Sequence, residues 1–160
     1  MKQLFIVCLL CVAGSLSAQT TMFVGAGLEA NANTREGAAL GTSLASAVDL
    51  NLLNQLFSAG LKLGFSANMD TINTLETAAL FRYYLPLPIS GFFVQAELGS
   101  AFFFEGGESY PAFLGGLTAG WRYNIGKFFY IEPFARGGYP FIWGIGLQAG
   151  TSFNLIGEKR

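Results

Sequence analysis

Phe57-Ser58-Ala59-Gly60-Leu61-Lys62-Leu63-Gly64-Phe65-Ser66-Ala67-Asn68 divides into two kinds of residue without an exception. Odd positions carry Phe57, Ala59, Leu61, Leu63, Phe65 and Ala67; even positions carry Ser58, Gly60, Lys62, Gly64, Ser66 and Asn68. Successive side chains of a β-strand point to opposite faces, so the stretch reads as a strand with one apolar face and one small, polar face. A helix would scatter both sets around its circumference.

The same alternation recurs over 22–30, 40–50, 75–85, 92–102, 113–124, 129–136 and 143–153. That makes eight segments, each close to the roughly 9–11 residues a tilted membrane strand needs. Turn-like residues separate them at 33–37, 51–55, 70–73, 86–90, 106–111, 126–127 and 137–140. Pro133 interrupts the seventh segment, where its missing N–H predicts a bulge or a local break.

The charged residues within these segments are Glu29, Asp49, Lys62, Glu76, Arg82, Glu97, Arg122, Glu132 and Arg136, and all fall on the Gly/Ser-rich face. If that face were outside, a wet surface would consist mostly of Gly, Ser and Ala with about one charge per strand, far below the usual share of roughly 25% charged residues. Turned inward, it suits a barrel of eight strands, whose interior is just wide enough for side chains to fill. The apolar face then meets lipid.

Composition agrees. The 160 residues are 52% hydrophobic and 12% charged, with 21 Gly and 16 Phe. A chain this rich in aromatics and poor in charge is not disordered. No window reaches the roughly 20 uninterrupted apolar residues of a spanning helix. A closed barrel is the remaining way to satisfy every backbone group in a membrane. The expected fold is therefore an all-β, eight-stranded antiparallel up-and-down transmembrane barrel.

Residues 1–18 read as a cleaved signal peptide: Lys2, an apolar run from Leu4 to Ala13, then small and polar residues to Ala18. Leu16 at the third position before that cut leaves cleavage after Ser17 open. Both cysteines, Cys8 and Cys11, lie in this leader. Acylation at Cys11 is disfavoured by Leu10 before it, and the barrel over 19–160 would hold no disulfide. Losing Lys2 leaves 8 basic and 10 acidic residues, a net charge of −2, with no basic patch for nucleic acid.

Histidine is absent, which removes imidazole acid–base chemistry and His metal sites. No catalytic, metal or cofactor residues are assigned. With both termini expected at one end, Lys62, Arg82, Glu97, Arg122 and Glu132 fall on five successive strands, a few residues from that end. Arg82–Glu97–Arg122–Glu132 is the expected salt-bridge ladder, with Glu29 and Arg136 nearer the other end, and Glu76 and Asp49 completing the lumenal set. Paired charges would plug the barrel, since an unpaired buried charge is very costly. Aromatic belts are expected at both ends of the wall, from Tyr83, Tyr84, Phe92, Phe93, Trp121, Tyr123, Phe128 and Phe129 at one and from Phe102, Phe103, Phe104, Tyr110, Tyr139, Phe141 and Trp143 at the other. The Gly25-Ala26-Gly27-Leu28-Glu29-Ala30 match to a dinucleotide motif lacks a preceding strand and a following helix, so its glycines read as lumen space.

Gln148-x-Gly150-x-x-Phe153-x-Leu155 resembles the β-signal of outer-membrane proteins, though it stops five residues before the end and closes on Leu rather than an aromatic residue. That resemblance implies recognition by the barrel-assembly machinery. Leader, eight strands and terminal motif together resemble the small OmpA/OmpX-type barrel class, and Tyr130 to Phe141 is similar to a penultimate strand of spirochaete-type barrels. The resemblance implies an address in the cell outer membrane among its lipids, and carries over no functional residue.

The expected role is structural or interactive, with a lumen closed by salt bridges. The short loops argue against a large receptor-binding surface. A narrow channel or carrier for small solutes is the alternative, as is a secreted lipocalin-like binder should the chain prove soluble. An enzyme is not expected. Oligomeric state stays open, because an apolar exterior serves lipid and a second barrel alike.

Overall fold

A computed structural model of the chain describes residues 21–35, 38–50, 56–67, 72–85 and 90–154. Eight strands follow one another: β1 (Thr21–Asn33), β2 (Ala38–Leu50), β3 (Phe57–Ala67), β4 (Asn73–Leu85), β5 (Gly91–Glu105), β6 (Glu108–Ile125), β7 (Phe129–Tyr139) and β8 (Phe141–Asn154). Each pairs antiparallel with the next, and β1 pairs with β8 to close the barrel. Closure leaves no edge strand. Every alternating segment of the sequence is one of these strands.

The alternation becomes an inside and an outside. Along β4, Thr74, Glu76, Ala78, Leu80, Arg82 and Tyr84 are buried, while the residues between them face outward. Leu28, Leu61 and Phe113 on the outer wall are 68%, 67% and 63% exposed, whereas Glu29, Lys62 and Glu76 are 5%, 7% and 3% exposed. A water-soluble barrel has the opposite arrangement. Among the described residues, the exposed charges (Arg35, Glu105, Glu108, Lys127) sit at the rims, at or beyond strand ends.

Row by row, the register sets large lumenal residues against small ones. On β3 and β4, Lys62 faces Ala78, Gly64 faces Glu76, Gly60 faces Leu80 and Ser58 faces Arg82. Glycine serves as void for a neighbour's side chain. A Cβ at Gly64 would strike the Glu76 carboxylate, and one at Gly144 would strike Glu29 and lie 3.0 Å from Arg136 Cγ.

Pro133 acts as a local break rather than a bulge. The β6–β7 ladder runs to Gly120↔Phe134 and resumes at Tyr123↔Ile131 without a change of register, while Pro133 stays paired with Leu147 on β8. A true bulge lies elsewhere. Between Ala32↔Trp143 and Asn33↔Phe141 the β1–β8 register shifts by one residue. The extra residue leaves Ile142 and Trp143 both facing outward and turns Phe141 into the lumen.

Two glycine substitutions separate these packing regimes. A Cβ at Gly99 would collide with backbone, the Thr77 carbonyl oxygen and Ala78 Cα, whereas one at Gly137 meets only the Ile142 oxygen at 3.4 Å. Gly99→Ala is expected to destabilise the barrel by about 1–3 kcal/mol through overpacking, and Gly137→Ala to be close to neutral, as read from urea midpoints of protein refolded in detergent.

Candidate functional site in the barrel lumen

The lumen is layered along the barrel axis. Residues near the end where β1 begins and β8 ends form the first layer, which is aromatic: Phe23 of β1, Tyr84 of β4, Phe93 of β5 and Tyr130 of β7, each no more than 2% exposed. They are the inward residues of their strand ends. Phe23 and Tyr130 meet edge-on with centroids 6.0 Å apart, as do Tyr84 and Phe93 at 6.1 Å.

Two guanidinium groups lie on these rings. Arg122 Cζ sits between Phe23 and Tyr130, 4.0 and 4.1 Å from their centroids, and Arg82 Cζ lies 3.9 Å from that of Phe93. Ring faces attract desolvated cations. Both arginines also reach Glu132 Oε1: Arg82 Nη1 donates at 2.6 Å, and Arg122 Nε donates as well. Among the described residues Arg122 Nη1 has no hydrogen-bond acceptor, and beside Glu132 its guanidinium is met by the two aromatic rings.

A second charged layer lies further along. Lys62 Nζ contacts Glu76 at 3.1 Å and Glu97 at 3.3 Å. Arg136 donates from Nε to Glu29 and from Nη1 to Glu76, both at 2.7 Å, and Nη1 stands 3.6 Å from Glu97. Thr118 Oγ1 donates to Glu97 at 2.7 Å. The two layers are joined by Gln95, whose Oε1 accepts from Arg82 Nε and whose Nε2 donates to Glu97 Oε1, each at 2.9 Å. Toward the far end lies an apolar cap formed by Ile72, Ala101, Phe103, Leu114 and Phe141, with Ala78 packed against it from the level of Lys62. Arg136 Cζ lies 4.0 Å from the Phe141 ring.

The structure therefore rearranges the ladder expected from strand order. Only Arg122 and Glu132 pair as neighbours. Arg82 faces Gln95 rather than Glu97 in the β4–β5 register, and it finds its carboxylate across the lumen on β7. Glu97 likewise reaches Lys62 and Arg136 on strands that do not adjoin its own. In so narrow a barrel, long side chains meet across the axis as readily as along the wall. Gln95 and Thr118 complete the network without carrying charge, which is why a reading of charges alone passes over them.

The aromatic belts need a similar correction. Tyr84, Phe93, Phe103 and Phe141 are 0%, 1%, 1% and 3% exposed and point into the lumen. Parity along β4 and β5 already places the first three inward, and the bulge turns in the fourth. Trp121, Tyr123, Phe128 and Phe129 at one end, and Tyr139 and Trp143 at the other, do face outward.

Of the C-terminal motif, Gln148 is buried and donates to the Tyr130 hydroxyl at 3.3 Å, Gly150 abuts that hydroxyl, and Phe153 is half-exposed on the outer wall. Leu155, residues 1–18 and the side chain of Asp49 lie outside the described residues. Through its backbone Asp49 pairs with Ser58.

No family model and no curated protein matches the chain. Solved structures do match. Neisserial surface protein A shares 12% identity at a TM-score of 0.58, over 85% of this chain and 97% of its own. Ail, the attachment invasion locus protein of Yersinia pestis, solved with the heparin analogue sucrose octasulfate, shares 13% at 0.53, over 84% and 98%. The N-terminal β-barrel domain of Pseudomonas aeruginosa OprF shares 15% at 0.51, over 83% and 97%. The fold is that of the small eight-stranded outer-membrane barrels. At these identities the likeness concerns architecture.

Glu132 is the sole carboxylate among the described residues that pairs with two buried arginines, Arg82 and Arg122. Glu132→Gln is expected to cost about 3–5 kcal/mol, the penalty for stranding buried charge. Gln95→Met, which removes a neutral link, is expected to cost about 1–3 kcal/mol. Urea unfolding of the refolded variants gives both values, and equal losses would contradict the ranking.

Proposed function

We propose that this chain is an integral protein of the outer membrane with a structural or interaction role, its lumen closed to solutes by its own side chains. One observation carries the reading: among the described residues, eight buried charged side chains pair with one another inside the barrel, between an aromatic layer at one end and an apolar cap at the other. The void between the charged layers, bordered by Lys62, Arg82, Gln95 and Gln148, amounts to about 20 Å³, room for an ordered water rather than a solute path.

The membrane assignment rests on the wall. Exposed leucines, phenylalanines and isoleucines cover it, with charge at the rims, which suits lipid and is unfavourable in water. An N-terminal leader over 1–18 and recognition of Gln148, Gly150, Phe153 and Leu155 by the assembly machinery complete the proposed route. Strand links at the end opposite the termini span 34–37, 68–72, 106–107 and 140. Such short links offer little for an extended binding surface, so the structural role is favoured over capture of a large ligand.

Unboiled protein refolded in detergent is expected to migrate as a compact band that boiling shifts, with β-type circular dichroism. A chain folded and soluble without detergent would overturn the membrane assignment and favour a secreted binder. In planar bilayers the refolded barrel is expected to pass no steady current. Regular unitary steps from the unaltered protein would establish the channel instead.

A further inference from the structure

The β1–β8 seam joins the strands most remote in sequence, and its register sets the geometry of the closed barrel. A slip of one residue would turn a whole apolar face inward and is excluded by patterning. A slip of two residues preserves both faces. It would change the shear of the barrel, which is linked to strand tilt and diameter. Alternation alone does not choose between these even-numbered registers.

The native seam places Gly25 opposite Gly150, with Gly27 opposite Gln148 and Phe23 opposite Ser152. Onto this glycine pair comes the phenol of Tyr130 from β7. A Cβ at Gly25 would strike the Tyr130 hydroxyl and lie 2.5 Å from Gln148 Nε2, and one at Gly150 would strike the same hydroxyl. The hydroxyl accepts from Gln148, on the same side of β8 as Gly150. Phe23 edge-on and Arg122 face-on hold the ring from other strands. Sliding β1 by two residues so that Gly25 meets Gln148 would set Phe23 opposite Gly150 and abolish the socket.

We propose that Tyr130 is the register key of barrel closure: its phenol, seated between Gly25 and Gly150, selects the native β1–β8 pairing over the even-numbered slip. The Arg136–Glu29 ion pair also crosses this seam, but long flexible side chains follow a shifted partner, whereas a rigid ring in a two-glycine socket does not. The proposal assigns a second duty to two residues of the terminal motif, since Gln148 and Gly150 form the receiving side of the key once the barrel has closed.

The test uses cysteine pairs in the chain from residue 19 onward, which has no native cysteine. Val24→Cys with Thr151→Cys reports the native rung, and Val24→Cys with Ala149→Cys reports the slipped one. After refolding into phosphatidylcholine vesicles and mild oxidation, the unaltered background should cross-link only at the native rung. With Tyr130→Leu, cross-linking of the slipped pair should rise roughly tenfold, on the scale that loss of one specific aromatic contact permits. Gly25→Ala should do the same, and adding Tyr130→Phe to it should restore the native rung, because the hydroxyl that the new methyl group strikes is then gone and the flexible Gln148 amide, released from that hydroxyl, can swing aside.

That rescue is a readout that general destabilisation would not produce, and it remains decisive if Tyr130→Leu fails to fold. Native-rung cross-linking alone in Gly25→Ala, or failure of Tyr130→Phe to rescue it, overturns the proposal. Absence of any heat-shifted band for the unaltered protein would instead strike at the membrane reading.

Discussion

An eight-stranded barrel encloses a space that side chains fill and little else can enter. From this single constraint most of the interior follows. Many large lumenal residues have a small one on an adjacent strand: Glu76 lies over Gly64, Lys62 faces Ala78 and Tyr130 sits on Gly25 and Gly150. A high glycine content, which in a soluble sheet would weaken the strands, here supplies the volume that charged and aromatic side chains occupy. The narrowness also brings residues of non-adjacent strands within hydrogen-bonding distance. For that reason Arg82 of β4 meets Glu132 of β7, and Arg136 of β7 meets Glu76 of β4.

The number of strands, their order and the identity of the inner face were all legible in the sequence, because a two-residue period is a direct statement about which side each residue faces. Pairing within the lumen was not. Alternation gives the face of a residue but not its angle around the axis or the reach of its side chain. Arg82 and Glu97 look like neighbours by strand order, yet the register sets Gln95 between them. The inward aromatics were concealed differently. Position near a strand end suggests a membrane belt, and only strict parity shows Tyr84 and Phe93 pointing inward. Phe141 escapes even parity, since a one-residue bulge invisible in composition reverses its side.

The layering has its own electrostatic logic. Among the described side chains, the layer near the termini carries two arginines on one carboxylate, and the next carries three carboxylates against Lys62 and Arg136. Neither is neutral alone, but Gln95 joins them into one hydrogen-bonded network whose charges balance. Aromatic rings supply part of what carboxylates do not at Arg122, whose Nη1 has no acceptor among the described residues. Aromatic residues on one side of the network and apolar ones on the other leave its members buried, which lowers the local dielectric and strengthens each pair. The same exclusion makes each pair obligatory, since a charge stranded there has no water to turn to.

In lipid, moving an apolar side chain from the wall to its surroundings gains almost nothing, because hydrocarbon tails are as apolar as leucine. The wall's leucines and phenylalanines therefore determine where the barrel resides more than how firmly it is folded. Firmness has to come from the closed backbone ladder and from the lumen, where polar groups find partners that lipid does not offer. This reverses the usual division of labour in a protein: the apolar residues address the molecule to its solvent, and the buried polar residues hold it together. It also explains why the interior is crowded rather than open. A water-filled lumen would let solvent compete for every ion pair, so the packing that fills the interior is the same packing that gives those pairs their strength.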